Sequence, residues 1–92
     1  MPMSNWRCYI VRCSDNSLYT GITNNLEERV KAHNEGRAAK YTKGRRPVAL
    51  VSLSGEMTRS RAQRLEMFIK SLHPADKINA LDIISTTLGV CL

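Results

Sequence analysis

The chain is 92 residues long and carries 14 Lys and Arg against 8 Asp and Glu, which gives a formal net charge of +6. This length suits a single domain, 1–92, and excludes two separate hydrophobic cores. Neither a transmembrane run nor a signal-peptide pattern is present, and three cysteines without a CxxC pair disfavour a secreted disulfide scaffold. We therefore expect a cytoplasmic protein with no membrane partner.

Two short β-favouring segments open the chain. RCYIVRC runs from Arg7 to Cys13, and LYTGIT runs from Leu18 to Thr23. The polar residues between them, SDNS, are typical of a tight turn. We therefore predict an antiparallel hairpin in which Tyr9 and Tyr19 each lie near the middle of a strand.

The segment TNNLEERVKAHNEG has the pattern of a helix of about three turns. Asn24 or Asn25 is the expected N-cap, Glu27 and Glu28 suit the first turn, and Gly36 is typical of a helix end. A basic loop follows this helix.

The second half of the chain predicts one strand and two helices. VALVSL, residues 48–53, is a continuous apolar strand, and Thr58 begins a helix that ends at Pro74. A short helix is expected from about Ala75 to Ile84, and residues 85–92 fit either a small strand or a docked tail. Four apolar residues should form the buried face of the longer helix: Ala62, Leu65, Ile69 and Leu72.

The resulting order, β-β-α-β-α-α, predicts an α/β (α+β) fold. We expect a small, three-stranded, mainly antiparallel sheet flanked by helices, with its core in residues 7–84. Trp6, Cys8 and Phe68 are expected to pack in that core.

The excess positive charge is concentrated between the first helix and the third strand. Five basic residues occur there with no acid between them: Arg37, Lys40, Lys43, Arg45 and Arg46. Such a run indicates either a phosphate-binding surface or a solvated loop that keeps the chain soluble. Gly44 and Pro47 interrupt it, which disfavours an amphipathic membrane-binding helix.

Four segments, CYI, YTG, LEERVKAHN and QRLEMFIK, together resemble the GIY-YIG nuclease superfamily. The resemblance extends from about Arg7 to Leu81 and is strongest to the small single-domain bacterial members, whose biological role is uncertain. Cys8 stands where the family name has Gly, and Thr20 stands where it has Ile. Neither departure removes a proposed catalytic atom, so the resemblance implies a GIY-YIG endonuclease-like fold.

The resemblance implies that Tyr9 activates the attacking water and that Tyr19 shapes the same pocket or shares that task. It also implies that Arg29 grips the scissile phosphate. His33 lies one helical turn beyond Arg29, so both side chains should point the same way, and a neutral imidazole can accept or pass on a proton. Because free tyrosine has a pKa near about 10, Tyr9 can act as a base only if nearby charges stabilise the phenolate or its proton is relayed.

The resemblance makes Glu66 the ligand of Mg²⁺ (or Mn²⁺). One carboxylate with water and substrate oxygens suits Mg²⁺, and a salt bridge from Glu66 to Arg61 or Lys70 is the alternative. A late polar residue supports the site in the family, and Asn79 or Lys77 matches it here.

Further nucleic-acid contacts are expected from the second strand and the basic loop. Gly21 should permit close approach of the backbone to substrate or to a helix, and Tyr41 should either contact the nucleic acid or pack on the first helix. The expected nucleic-acid-binding set is Gly21, Arg37, Lys40, Tyr41, Thr42, Lys43, Arg45 and Arg46.

With the resemblance, these residues predict a Mg²⁺-dependent endonuclease that hydrolyses phosphodiester bonds in nucleic acid. The resemblance favours DNA as the substrate and repair or processing as the role. A non-catalytic nucleic-acid-binding module of the same fold is one alternative, and a protein-interaction domain with incidental basicity is another. The sequence leaves open a protein partner or a weak homodimer.

Overall fold

The computed structural model describes residues 4–91, with side chains described over residues 4–84. Its elements are β1 (Arg7–Arg12), β2 (Leu18–Thr23), α1 (Leu26–Asn34), α2 (Lys40–Lys43), β3 (Ala49–Leu53), α3 (Arg59–Lys70) and α4 (Pro74–Cys91). The predicted fold class is confirmed, because the strands form one antiparallel sheet flanked by helices. The single helical turn α2, inside the basic loop, was not predicted.

Strand β1 lies at the centre of the sheet, in the order β2-β1-β3. Its side chains alternate between two hydrophobic clusters, one for each face of the sheet. One cluster contains Cys8, Ile10, Ile69 and Leu81, and the other contains Tyr9, Val11, Cys13 and Val48. Both faces of the central strand are therefore buried.

The hairpin register places the two strand tyrosines on the same face. Tyr9 pairs with Gly21, and Val11 pairs with Tyr19, so Tyr9 and Tyr19 belong to positions two residues apart along one face. The turn between the strands contains Asn16 at φ 69°, a left-handed conformation that asparagine tolerates better than most residues.

Helix α1 begins after Asn25, whose side chain accepts a hydrogen bond from the Glu28 backbone N–H at 3.2 Å. Gly36, at φ +80°, follows the end of the helix. The helix has nine residues, about two and a half turns, so it is slightly shorter than predicted. The Asn34 side chain fixes its end to the segment before β3, because it donates to the Val48 carbonyl and accepts from the Val48 N–H.

Two helix boundaries differ from those predicted. Thr58 caps α3 as expected, but α3 ends at Lys70, and Pro74 begins α4 instead of ending α3. A proline in the first turn of a helix loses no intrahelical hydrogen bond, so the same residue type fits a beginning as well as an end. The expected end of the last helix at Ile84 was also wrong, since the backbone of residues 85–91 continues α4; residue 92 lies outside the described residues.

The predicted buried face of α3 is confirmed. Ala62 and Ile69 are fully buried, and Leu65 and Leu72 pack against the cluster that contains Ile69. Phe68 is 49% exposed, so its assignment to the core was wrong. It precedes Ile69 by one residue and therefore points about 100° away from it around the helix.

Trp6 is half-buried, with the Arg59 guanidinium 5.0 Å from its ring centroid. Within residues 4–91, no helix has both the length and the apolar character needed to cross a membrane.

Candidate active site

A buried hydrogen-bonded pair, Tyr9 and His33, lies at the centre of the site. Tyr9 Oη is 2.8 Å from His33 Nε2, and the two residues are 2% and 1% exposed. On the other side of the imidazole, Nδ1 is 2.8 Å from Thr42 Oγ1. The Thr42 hydroxyl donates to the Ala39 carbonyl at 3.2 Å. Strand β1, helix α1 and the turn α2 thus contribute to one continuous row of polar contacts.

Burial keeps both members of this pair neutral near pH 7. It raises the pKa of Tyr9 above its usual range, with smaller contributions from Tyr19 and Glu66 in the same direction and from Arg29 in the opposite one. Burial also lowers the pKa of His33, and the positive charge of Arg29 lowers that pKa further. These effects place Arg29 and Glu66 within electrostatic reach of Tyr9.

Arg29 occupies the position on α1 one turn before His33 and is half-buried. Among residues 4–84, no carboxylate lies within salt-bridge distance of its guanidinium. A half-buried cation of this kind can bind an anionic ligand without first breaking an internal ion pair.

Glu66 lies on α3 with its side chain 21% exposed, and Lys70 Nζ is 3.2 Å from its carboxylate. Of the two salt-bridge partners considered from the sequence, Lys70 is the one in contact.

Burial, together with the charge of Glu66, raises the pKa of the Cys8 thiol to about 12. Cys8 is therefore a protonated, buried thiol, as expected for a packing residue.

Glu66 offers a single carboxylate as a candidate metal ligand, and Lys70 contacts it. No group of three or more His, Cys, Asp or Glu side chains that could hold a metal occurs in the part of the chain that the structure describes. Mg²⁺ commonly keeps most of its water and binds through one or two carboxylates plus substrate oxygens, so a single partly exposed carboxylate fits it.

Gly21 lies against the phenol of Tyr9 across the hairpin. A Cβ at position 21 would be 2.6 Å from Tyr9 Oη and 2.7 Å from Cζ, so any side chain there would displace the ring. The close approach at Gly21 is to the Tyr9 ring of the paired strand, not to substrate or a helix as predicted. Gly21 itself is buried and presents no surface for nucleic acid in this conformation.

Aromatic rings and cations lie next to the pair. Tyr19 packs edge-on against His33 and stacks on Tyr41, with centroid distances of 5.2 Å and 6.0 Å. The Arg45 guanidinium is 4.0 Å from the Tyr41 centroid, and Lys70 Nζ is 5.8 Å from that of Tyr19. Tyr41 therefore packs on a β2 side chain, while remaining 39% exposed.

A cleft of about 220 Å³ opens beside these rings. It is lined by Leu18, Tyr19, Thr20, Tyr41, Lys70 and Lys77. Lys77 also donates to the Ile69 and Lys70 carbonyls at 3.2 Å, which satisfies the end of α3, whereas Asn79 is exposed. Of the two candidates for the late polar position, Lys77 is the one at the cleft.

The basic loop is partly neutralised by acids from elsewhere in the fold. Arg37 pairs with Glu28 at 2.5 Å and with Glu35 at 2.7 Å, and Arg45 pairs with Asp15 at 3.0 Å. The Arg37 contact lowers the pKa of Glu28. The basic run itself contains no acidic residue. The acids that pair with it lie earlier in the chain and pack against it in the fold.

Lys40, Lys43 and Arg46 are exposed, and among the described residues none of them forms a salt bridge. Arg46 Nε donates to the Lys43 carbonyl at 2.8 Å. Thr42 differs from these neighbours because it is fully buried behind His33. Its side chain is therefore absent from the surface at which a nucleic-acid contact was expected.

Two features of the site were missed from the sequence. The contact of Thr42 with His33 depends on the short turn α2. Four residues are too few to show a helical periodicity in the sequence. The clamp between Asn34 and Val48 also escaped notice, although an asparagine at the end of a helix is a common partner for free backbone groups.

Comparison with known proteins gives consistent matches. Residues 5–79 match the family described as the GIY-YIG catalytic domain. The UPF0213 protein CPE1444 of Clostridium perfringens is 51% identical over 73 residues, which cover 79% of this chain and 78% of that protein. The UPF0213 protein YazA of Bacillus subtilis is 47% identical over 72 residues, 78% of this chain and 73% of that protein.

A solved structure also matches. The solution NMR structure of the UPF0213 protein BH0048 from Bacillus halodurans aligns with a TM-score of 0.53 and 35% identity, covering 87% of this chain and 85% of the other. Like the two relatives above, it has a name that states no activity.

Proposed function

We propose that this chain, which belongs to the GIY-YIG family, hydrolyses phosphodiester bonds in nucleic acid with the help of a divalent metal ion. The observation that carries the proposal is the hydrogen-bonded pair of Tyr9 and His33, with Arg29 acting on the pKa of both residues and Glu66 on the pKa of Tyr9.

The neutral pair supports a proton relay rather than a preformed phenolate. Because burial raises the pKa of Tyr9, its phenol is protonated at neutral pH and cannot act alone as a base. A neutral His33 can take the phenol proton while the phenol oxygen takes one from the attacking water. The water therefore attacks phosphorus as it loses a proton to the pair, and a stable phenolate does not form at any stage.

Arg29 and Glu66 are assigned to the charge that develops on phosphate. The guanidinium of Arg29 has no carboxylate partner among residues 4–84, and its forked donors match phosphate oxygens. Glu66 would hold Mg²⁺ or Mn²⁺ together with water, and Lys70 must yield part of its contact with the carboxylate. The bound ion would neutralise phosphate charge and favour departure of the leaving oxygen.

The substrate is proposed to be DNA, held by the exposed cations Lys40, Lys43 and Arg46 and by the rim of Tyr41 and Arg45. Arg37 contributes less, since two carboxylates already surround it. Cys8 and Cys13 are free and buried, which supports a reducing compartment, and we place the protein in the cytoplasm.

A non-catalytic DNA-binding module of the same fold is the second candidate. The contact between Glu66 and Lys70 favours it, because a lysine 3.2 Å from the carboxylate competes with a metal ion for the same oxygens. The two candidates differ in the effect of removing the Glu66 charge. A module loses nothing essential, whereas a nuclease loses turnover.

Cleavage of single-stranded, duplex and branched DNA, with Mg²⁺ or with a chelator, tests the proposal. Wild type should cut at least one of these substrates only with metal, and Glu66→Gln and Arg29→Ala should each reduce the rate by about 100-fold. Glu27→Gln removes an exposed carboxylate from α1 and should leave the rate unchanged. Equal rates in all four proteins, or no metal-dependent cleavage by wild type, would overturn the nuclease assignment; retained binding would then favour the module.

A further inference from the structure

We infer that Thr42 is a positioning residue that fixes the tautomer of His33, with the proton on Nδ1, so that Nε2 is free to accept the phenol proton of Tyr9. The inference deepens the proposed function and rests on it for its catalytic consequence. The tautomer itself is a property of the folded chain and can be measured without substrate.

The protons and acceptors along this row of contacts are equal in number, and their match leads to this assignment. Three groups each bring one proton: the Tyr9 phenol, the neutral imidazole of His33 and the Thr42 hydroxyl. Three acceptors lie at hydrogen-bond distance: His33 Nε2, Thr42 Oγ1 and the Ala39 carbonyl. If Nδ1 carries the imidazole proton, every proton meets an acceptor and all three hydrogen bonds point in one direction along the row.

The opposite tautomer leaves a buried proton without an acceptor. With the proton on Nε2, the imidazole would donate to Tyr9 Oη, and Thr42 would turn its hydroxyl from the Ala39 carbonyl to Nδ1. The phenol proton would then need another acceptor. Within the described part of the chain, His33 is the only hydrogen-bond partner of that phenol, and Tyr9 is 2% exposed. In this arrangement the Ala39 carbonyl loses its bond from Thr42, and a phenol that meets no water inside the fold keeps an unsatisfied proton; both losses are costly for buried groups.

The local fold holds the Thr42 hydroxyl in place. Thr42 is the buried residue of the four-residue turn α2, and its hydroxyl bonds to the carbonyl of Ala39, the residue before the turn. A hydroxyl that donates to a fixed backbone carbonyl presents its lone pairs elsewhere, here toward His33 Nδ1. The turn therefore acts on His33 as backbone carbonyls do on many functional histidines, by accepting from one nitrogen to define the other.

The proton balance of the step follows from this tautomer. As water attacks phosphorus, one of its protons passes to Tyr9 Oη while the phenol proton passes to His33 Nε2. A P–O bond to water forms, the P–O bond to the leaving oxygen breaks, and that oxygen takes a proton from solvent. His33 becomes an imidazolium that still donates from Nδ1 to Thr42, so every hydrogen bond in the row is kept.

Nitrogen-15 NMR of the imidazole tests the inference directly, because protonated and unprotonated ring nitrogens have well-separated shifts. His73→Asn leaves His33 as the sole imidazole, and asparagine retains the capability to accept from the Ala75 N–H that His73 now provides. In this background we compare Thr42, Thr42→Ser, Thr42→Val and the control Thr23→Val, which removes another buried hydroxyl. Each protein is also assayed for DNA cleavage.

We expect the Nδ1–H form with Thr42, with Thr42→Ser and with Thr23→Val. Thr42→Val should move the proton toward Nε2 and reduce cleavage by about 100-fold or more, as loss of the correct tautomer does in other histidine-dependent sites. An Nε2–H form in the Thr42 protein, or no change in Thr42→Val, would overturn the inference whatever the cleavage rates. If the proton lies on Nδ1 whenever residue 42 has a hydroxyl and moves when the hydroxyl is removed, while no variant cuts DNA, that result would support the role of Thr42 and contradict only the proposed function. The spectra also report folding, and Thr42→Ala, which likewise removes the hydroxyl, takes the place of Thr42→Val if that variant does not fold.

Discussion

At the scale of single residues, the site depends on a tyrosine ring that lies across a glycine. Tyr9 and Gly21 are paired across the hairpin, and the missing Cβ of Gly21 is what lets the phenol reach His33. Gly21 therefore matters to the proposed chemistry although it contributes no functional group. Its contribution is the space left beside the phenol oxygen.

Gly21→Ala should disrupt this arrangement. Because the added Cβ would lie 2.6 Å from Tyr9 Oη, the ring must move and its hydrogen bond with His33 must lengthen or break. We expect a loss of about 1–3 kcal/mol in the free energy of unfolding and about a 100-fold lower cleavage rate. Denaturant unfolding and single-turnover cleavage measure the two effects.

Gly44→Ala is the matched control for that change. Gly44 has φ −88° and a Cβ there would meet nothing within 4 Å, so stability should change by no more than about 0.5 kcal/mol. If Gly21→Ala were as stable and as active as Gly44→Ala, the close packing of Tyr9 against Gly21 would have no functional importance.

The sequence predicted the residues with distinctive chemistry better than those that position them. Tyr9 and His33 were both singled out from the sequence, and the fold places them in hydrogen-bond contact, with Arg29 one helical turn before His33. Thr42 looked like a surface residue because cations surround it in the sequence. Its burial depends on how the loop folds against α1, which local pattern does not encode.

At the scale of elements, α1 holds two of the proposed catalytic groups and is only nine residues long. A helix this short is marginal alone, so its ends must be fixed by specific contacts. Asn25 caps its beginning, and Asn34 joins its end to Val48. Arg29 and His33 are therefore held by two asparagines that take no part in chemistry.

Asn25→Ala should weaken this helix, whereas Asn24→Ala should not. The sequence left both as possible N-caps, and the structure selects Asn25. Loss of the cap should cost about 1 kcal/mol in the free energy of unfolding and increase amide exchange in α1. The same measurements on Asn24→Ala should match wild type, and equal effects of the two changes would show that the cap is assigned to the wrong residue.

The helix boundaries show why element positions were less predictable than element types. Pro74 was interpreted as a stop, but it begins α4, since a first-turn proline and a terminating proline look alike in one sequence. Residues 85–91 contain β-branched residues and a glycine that favour other structures, yet their backbone is helical. The helical propensity of single residues predicts structure only weakly, and here the preceding part of the helix overrides it.

At the scale of the whole molecule, the net charge of +6 is distributed unevenly between paired and unpaired cations. Arg37 and Arg45 contact carboxylates from other parts of the fold, whereas Lys40 and Lys43 are exposed, with no ion pair among residues 4–84. The electrostatic contribution to DNA binding should come mainly from the unpaired group. The net charge of the sequence therefore overstates the electrostatic contribution of Arg37 to DNA binding.

The salt dependence of DNA binding tests that distinction. Removing one cation that neutralises a phosphate should reduce the slope of log Kobs against log salt by about 0.7 for single strands and about 0.9 for duplex. Lys40→Ala and Lys43→Ala should each produce such a reduction, and Arg37→Ala a smaller one because its charge is already compensated. Equal reductions for all three variants would mean that DNA displaces the acids around Arg37 completely.

In the proposed mechanism, the phenol oxygen of Tyr9, bonded to His33, takes the proton of the attacking water. Tyr9→Phe removes that single oxygen and keeps the ring that packs between β1 and β2. Single-turnover cleavage of bound DNA in Mg²⁺ should slow by about 100-fold or more, with DNA affinity close to that of wild type and a lower melting temperature, because His33 Nε2 loses its buried partner. A cleavage rate within about twofold of wild type, under the same conditions, would contradict this mechanism, because Tyr9 would then have no part in proton transfer.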